Sequence, residues 1–101
     1  MIALGKKAVL AFDYGASSGR LVLGILNEDT KKIELKEMHR FKNCSVKLNQ
    51  YEYWDFPYLY NELKEGLKKV FAKESIVNNE NIEVLWLGVD TWGVDYGWID
   101  E

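Results

Sequence analysis

The sequence has one cysteine, one histidine, one proline and no long apolar run in its 101 residues. Cys44 cannot form a disulfide within the chain and has no neighbours at metal-ligand spacing, so we interpret it as inert. His39 also lacks ligand partners, and we interpret it as a surface or pairing residue without a metal role. The apolar stretch near the N-terminus is too short for a signal peptide or a membrane span. These absences predict a cytoplasmic protein with no membrane partner.

An excess of positive charge is also missing. The chain has 13 basic and 16 acidic residues, which gives a net charge of −3. Without a basic patch, the sequence argues against a nucleic-acid partner. Apolar residues make up 48% of the chain, which is enough for a packed core, and the length fits one small domain.

Apolar periodicity in the first part of the chain predicts three strands. Residues 7–13 and 20–27 are nearly continuous apolar runs, which are typical of strands covered on both faces. Residues 31–41 alternate in part, with Ile33 and Leu35 on one face, and predict a half-exposed strand near a sheet edge. Because the connecting turns are short, we expect these strands to form an antiparallel meander.

The middle of the chain predicts a loop followed by a helix. Residues 43–53 show no clear period and are interpreted as a loop. The helix is expected to begin at Asp55, with Pro57 in its first turn, and to end near Glu74, before polar residues 78–81. Apolar residues at helical spacing predict its buried stripe: Leu59, Leu63, Leu67, Val70 and Phe71.

Residues 82–90 predict another strand covered on both faces, and residues 94–99 the start of a further one. A crossover helix after a meander most naturally returns the next strand parallel to an existing one. If strand 82–90 lies beside the first strand, Asp13 and Asp90 end neighbouring strands at one edge. Open α/β sheets bind ligands at such carboxyl ends. The predicted fold class is therefore α/β: a three-strand antiparallel meander, a helix and a parallel return strand.

The first candidate site is segment 13–20, which combines an acid, two glycines, two serines and an arginine: Asp13, Gly15, Ser17, Ser18, Gly19 and Arg20. The glycines allow a tight turn close to a ligand, and the serines with their N–H groups can form an anion-binding nest. The arginine suits phosphate oxygens, and the acid can hold Mg²⁺ through water. A plain hairpin turn with a solvated Asp and Arg remains an open alternative. The segment is no Walker A loop, because it lacks Gly-Lys-Ser/Thr and a strand follows it.

The second candidate site is segment 88–95, with Asp90, Thr91, Trp92 and Gly93 at a strand end. An indole face packs well on the C–H face of a sugar, and its N–H can donate to a hydroxyl. The alternative is that Trp92 is a core residue, since most aromatic side chains serve packing.

Together the two segments resemble the sugar kinases of the FGGY family, and the similarity extends over residues 8–100. Its strongest points are residues 13–20 and 88–96, and His39-Arg40-Phe41 and Tyr53-Trp54-Asp55 are also similar. The resemblance implies the N-terminal part of a ribonuclease-H-like domain, as in actin-type and hexokinase-type ATPases. It implies a two-domain kinase with ATP in the cleft and transfer of the γ-phosphoryl group to L-rhamnulose.

The resemblance also implies roles for individual residues. Residues 16–20 match the ATP phosphate loop, which covers Ala16, Ser17, Ser18, Gly19 and Arg20, and Gly15 beside it is also assigned to cofactor binding. Asp13 matches a partner of Mg²⁺ and phosphate, and Gly93 matches a sugar contact, with Trp92 and Asp90 beside it.

Kinases of this family are several times longer than 101 residues. Residues 1–101 are therefore expected to be the N-terminal part of the first kinase domain, with the second domain absent. The catalytic base, the second phosphate loop and the adenosine site are expected outside this chain, so no catalytic residue is assigned within it. The chain alone is expected to be inactive and to associate with itself through surface meant for the absent part.

Two other hypotheses remain open at this point. A ribonuclease-H-like nuclease would use Asp13, Glu62 and Asp90 as a two-metal set. The acidic net charge and the Gly/Ser loop with Arg20 argue against it. The other alternative is a folded fragment without catalysis.

Overall fold

A computed structural model describes residues 6–92 of the chain. The predicted strand at 94–99 and the predicted sugar contact Gly93 lie outside these residues. The elements, in chain order, are β1 (Lys7–Tyr14), β2 (Ser18–Asn27), β3 (Lys32–Lys42), β4 (Ser45–Leu48), β5 (Tyr51–Trp54), α1 (Phe56–Val70), α2 (Ile76–Asn79) and β6 (Glu83–Asp90).

The main sheet is mixed, with the strand order β3-β2-β1-β6. β1 pairs antiparallel with β2, and β2 pairs antiparallel with β3, which confirms the predicted meander. β6 runs parallel to β1 and lies directly beside it, as the crossover argument predicted. β3 is an edge strand, also as predicted. The α/β class is thereby confirmed.

The core lies between one face of this sheet and α1. Alternate residues of β1 and β2 point into it and are almost fully buried: Ala8, Leu10, Phe12, Leu21, Leu23 and Ile25. Gly66 lets the helix come close to the sheet, because a Cβ there would lie 3.0 Å from the Leu21 side chain. Burial of this apolar face is the main stabilising contribution to the fold.

The opposite face of the sheet is open, so the prediction that β1, β2 and β6 are covered on both faces is wrong. Ile33 and Leu35 of β3 are 64% and 70% exposed, and Leu85 of β6 is 49% exposed. Within residues 6–92, neither helix packs against this face, and the one strand that pairs with β6 is β1. The apolar composition of these strands predicted that they are covered, but it did not show which element of the fold would cover each face.

α1 begins where the sequence predicts and ends earlier. The Asp55 carboxylate caps it by accepting a hydrogen bond from the Tyr58 N–H at 3.2 Å, and Pro57 lies in the first turn. The helix ends at Val70. Phe71 is therefore the C-cap and is 52% exposed, so its place in the buried stripe was wrong. Neither helix of the described chain is long and apolar enough to cross a membrane.

The segment predicted as a loop at 43–53 instead contains a β-hairpin of β4 and β5. Leu48 pairs with Tyr51, and the two-residue turn between them places Asn49 at φ 58°. Asparagine tolerates this left-handed conformation better than most residues. A second short element, α2, occupies part of the stretch expected to be irregular, with Ser75 as its N-cap.

A polar cluster around the buried His39 joins β3 to α1. His39 Nε2 lies 2.6 Å from a Glu62 carboxylate oxygen, and the Lys69 ammonium donates to His39 Nδ1 at 2.8 Å. Because an ammonium can only donate, Nδ1 is the acceptor and Nε2 carries the proton given to Glu62. His39 is thus a pairing residue, which is one of the two interpretations drawn from the sequence. The other interpretation, a surface residue, is wrong, because His39 is buried.

We predict that Glu62→Gln lowers the free energy of unfolding by about 1–2 kcal/mol, because it replaces a charge-assisted hydrogen bond in a shielded place by a neutral one. The matched control is Glu65→Gln on the same helix, whose pair with Lys68 is exposed. That change should cost no more than about 0.5 kcal/mol. Urea unfolding followed by circular dichroism measures both. Equal effects of the two substitutions would contradict the structural role given to the cluster.

Candidate functional site

The candidate site lies at the carboxyl ends of β1 and β6 together with the turn at residues 15–17, which we call the strand-end edge. The turn leads directly from β1 into β2, so no helix follows it. Gly15 N–H donates to the Ser18 carbonyl at 2.9 Å and closes the turn. Ala16 and Ser17 form its exposed tip, and their N–H groups take no part in this closing bond. The tip can therefore offer backbone N–H groups to an anion.

Both glycines of the turn are required for close packing. A Cβ at Gly15 would lie 2.7 Å from the Ser18 carbonyl oxygen, and a Cβ at Gly19 would overlap the Phe41 ring at 2.1 Å. Neither residue has a positive φ. From the sequence, the two glycines were expected to allow a tight turn and the close approach of a ligand. In the structure, the groups close to them are the protein's own backbone and core side chains.

Asn43 holds the turn in place through two hydrogen bonds, and this role was not predicted from the sequence. Its side-chain amide donates to the Gly15 carbonyl at 2.8 Å, and its backbone N–H donates to the Ser17 carbonyl at 3.0 Å. The residue is buried, 3% exposed. The position of Asn43 just after β3 was only a weak signal of this role, because a polar residue after a strand is ordinary for a loop.

The charged residues of the strand-end edge share one face of the sheet. Asp13 lies directly opposite Arg20 on β2 and Asp90 on β6. Residues in register on adjacent strands point to the same side, so these three side chains emerge on the open face. The Arg20 guanidinium donates to an Asp13 carboxylate oxygen at 3.1 Å, with both side chains about half exposed. The predicted meeting of Asp13 and Asp90 is thereby confirmed as a register pair.

Space for a ligand exists beside these residues. A shallow depression in the open face is lined by Ala11, Asp13, Val22, Leu35, Gly88 and Asp90. A Cβ at Gly88 would meet no heavy atom within 4 Å, so the depression is open above this position. Its walls are apolar and its charges lie at one end, which suits a ligand with one charged and one less polar part.

The aromatic residues of the strand-end edge lie on the other face, toward α1. Trp92 stacks on Trp54 with ring centroids 4.1 Å apart and lies 6.4 Å from the Tyr14 ring. Tyr14 donates its hydroxyl to the Leu59 carbonyl at 2.8 Å. Burial raises the pKa of the Tyr14 phenol above its ordinary value, and the nearby Glu62 carboxylate raises it further. The hydroxyl therefore stays protonated at neutral pH and keeps this donor role.

The nuclease alternative loses its metal set in this geometry. Glu62 lies on the α1 side of the sheet in contact with His39, whereas Asp13 and Asp90 emerge on the open face. Within residues 6–92, no group of three acidic, histidine or cysteine side chains is placed to hold a metal ion. The three acids that the nuclease would need are not brought together.

The class of protein that the chain is similar to is the carbohydrate kinases. The relatives are rhamnulokinases. The chain is 43% identical over 93 residues to that of Mannheimia succiniciproducens, 46% identical over 92 residues to that of Halalkalibacterium halodurans, and 47% identical over 90 residues to that of Ligilactobacillus salivarius. These alignments cover 92%, 91% and 89% of the chain. No family model matches it.

The chain spans only 17–18% of the length of these curated relatives. The longest alignment takes in 93 of the 101 residues of the chain. The resemblance drawn from the two motifs is confirmed.

Proposed function

We propose that this chain is the N-terminal part of a rhamnulokinase-like sugar kinase, which transfers the γ-phosphoryl group of ATP to L-rhamnulose. The observation that carries the proposal is the register of Asp13 with Arg20 and Asp90 at one edge of a mixed sheet. The 43–47% identity to rhamnulokinases supports it. In this proposal residues 1–101 begin a ribonuclease-H-like first domain, and the kinase is a cytoplasmic protein.

The proposed role of the turn is to hold the phosphates of ATP. The exposed tip at Ala16 and Ser17 offers N–H groups, and Arg20 adds a fixed positive charge. Asp13 orients the guanidinium by accepting its hydrogen bond. Phosphoryl transfer depends mainly on positioning and on neutralising charge, and this part of the chain supplies both.

The residues present also fit Mg²⁺ that arrives with the nucleotide. Mg²⁺ keeps several waters and is usually held by one or two carboxylates together with substrate phosphates. Asp13 supplies one carboxylate with about half of its side chain exposed, and Asp90 lies beside it in register. When bound, the ion neutralises charge on the phosphates. The proposed sugar contacts are Asp90, Trp92 and Gly93.

Self-association of the isolated chain belongs to the same proposal. The open face of the sheet exposes Ile33 and Leu35, and the edge strand β6 exposes Trp86 and Val89. Apolar surface of this kind is normally buried against another part of a protein. Sedimentation velocity over a range of concentrations measures whether the isolated chain forms dimers.

The proposal is tested by expressing the full-length kinase that begins with this chain. We expect ADP release that depends on L-rhamnulose and Mg²⁺, with weaker turnover on other ketoses. ADP release with another sugar but not with L-rhamnulose would contradict the substrate. A folded full-length protein that releases no ADP with any sugar would contradict the kinase itself.

A further inference from the structure

Trp54 forms the most regular aromatic contact in the described chain. Its ring lies parallel to that of Trp92, with an interplanar angle of 3° and 4.1 Å between centroids. The two residues come from different elements, since Trp54 ends β5 and Trp92 follows β6. Stacked aromatic pairs contribute beyond the area they bury and also fix ring orientation. The β4–β5 hairpin is thereby tied to the strand-end edge.

Trp92 is packed against the core cluster, but Trp54 is its closest aromatic neighbour. The last register pair between β6 and β1 is Asp90 with Asp13, two residues before it. Its indole N–H is buried and has no acceptor among residues 6–92. Its other aromatic neighbour, Tyr14, is tilted by 40° at 6.4 Å. Of the two aromatic contacts of Trp92, the flat stack on Trp54 is the closer and the more parallel one, and it constrains the plane of the indole.

Trp54 itself is held firmly enough to serve as a support. It is partly buried against the core cluster. The next residue, Asp55, caps α1 through its side chain, so the backbone at this point is fixed to the start of the helix. The position of Trp54 is thus determined by the hairpin on one side and by the helix on the other.

We propose that Trp54 is a positioning residue for the sugar: it orients Trp92 for contact with L-rhamnulose. The inference rests on the proposed function. Trp54 stacks on Trp92, whose other aromatic neighbour is Tyr14, whereas Asp13 and Arg20 bond to each other. Loss of Trp54 should therefore change the use of the sugar and leave the use of ATP largely unchanged.

The kinetic test compares Trp54→Leu, Trp54→Phe and the control Tyr51→Leu in the full-length kinase. Tyr51 is an exposed aromatic residue of the same hairpin, and its ring neighbour is Tyr53. We expect Trp54→Leu to raise the KM for L-rhamnulose about fivefold, which is the scale of one aromatic stack, with the KM for ATP within about twofold. Trp54→Phe keeps a flat ring and should recover most of the affinity. Tyr51→Leu should resemble the wild type.

A spectroscopic readout tests whether the two indoles are stacked in the full-length kinase. Two stacked indoles give an exciton couplet in circular dichroism, and Trp54→Leu and Trp92→Leu should remove it equally. Trp86→Leu should keep it, because Trp86 lies exposed on β6. If Trp54→Leu does not fold, Trp54→Phe decides by its KM for L-rhamnulose compared with its KM for ATP.

The possible failures are distinguishable. A full-length wild type that does not phosphorylate L-rhamnulose contradicts the proposed function and the inference with it. An active wild type whose Trp54 variants behave like Tyr51→Leu contradicts the inference alone. Equal losses for sugar and ATP in Trp54→Leu also overturn it, since they indicate only a structural role.

Discussion

Arg20→Ala in the full-length kinase is expected to raise the KM for ATP or lower turnover, so that kcat/KM for ATP falls about 10- to 100-fold. A charge-assisted hydrogen bond to phosphate contributes about 1.5–3 kcal/mol, which corresponds to this range. The Arg20 side chain is already oriented by Asp13 at 3.1 Å, so little ordering is needed when phosphate binds. The KM for L-rhamnulose should change much less.

Two further variants sharpen this result. Arg20→Lys keeps the charge but loses the planar fork of donors, so it should recover only part of kcat/KM. Lys36→Ala is the control, because it removes an exposed positive charge on β3 that pairs with Glu34, away from the strand-end edge. If Arg20→Ala leaves both the KM for ATP and the turnover unchanged, the assignment of the turn to phosphate is wrong.

Topology was predictable because it follows from strong, general constraints. Three strands joined by short turns form a meander, and a helix that crosses over returns a parallel strand. These two rules predict that Asp13 lies beside Asp90, and the register confirms it. The helix start at Asp55 was equally readable, because its cap and Pro57 are local signals.

The hairpin was missed because its signals are short and of mixed polarity. Val46 and Leu48 flank Lys47, and Tyr51 and Tyr53 flank Glu52, which is an alternating pattern, but each strand has only four residues, too few for the period to stand out. Asn49 was the usable signal, since asparagine in a two-residue gap favours a hairpin turn. Missing the hairpin meant missing the Trp54–Trp92 stack, which depends on where β5 ends.

Burial was harder to predict than secondary structure. Whether an apolar strand is covered depends on elements distant in the sequence, and the open face beside Leu35 and Leu85 has none among residues 6–92. His39 is the opposite case, because a residue interpreted as possible surface is buried. It shares a face with buried Phe41 two residues away, so alternation could have predicted its burial, but its partner Glu62 is 23 residues distant.

The isolated 101-residue chain is expected to show no measurable ADP release with L-rhamnulose and MgATP. The catalytic base is expected outside this chain, and general-base catalysis typically contributes about 10²–10⁴-fold. The second phosphate loop and the adenosine site are expected there as well, so the correct placement of ATP is lost in addition. The residues at the strand-end edge can hold phosphate, but we assign no general base for a sugar hydroxyl among them.

A coupled ADP-release assay on the purified chain makes the measurement, with the full-length kinase as positive control at equal concentration. Asp13→Ala is the control for trace contamination, because a contaminating kinase would be unaffected by a change in this chain. Turnover of the isolated chain above the blank that Asp13→Ala abolishes would contradict the prediction. It would mean that the base and the nucleotide site are both formed within these 101 residues, by the chain itself or by two copies of it.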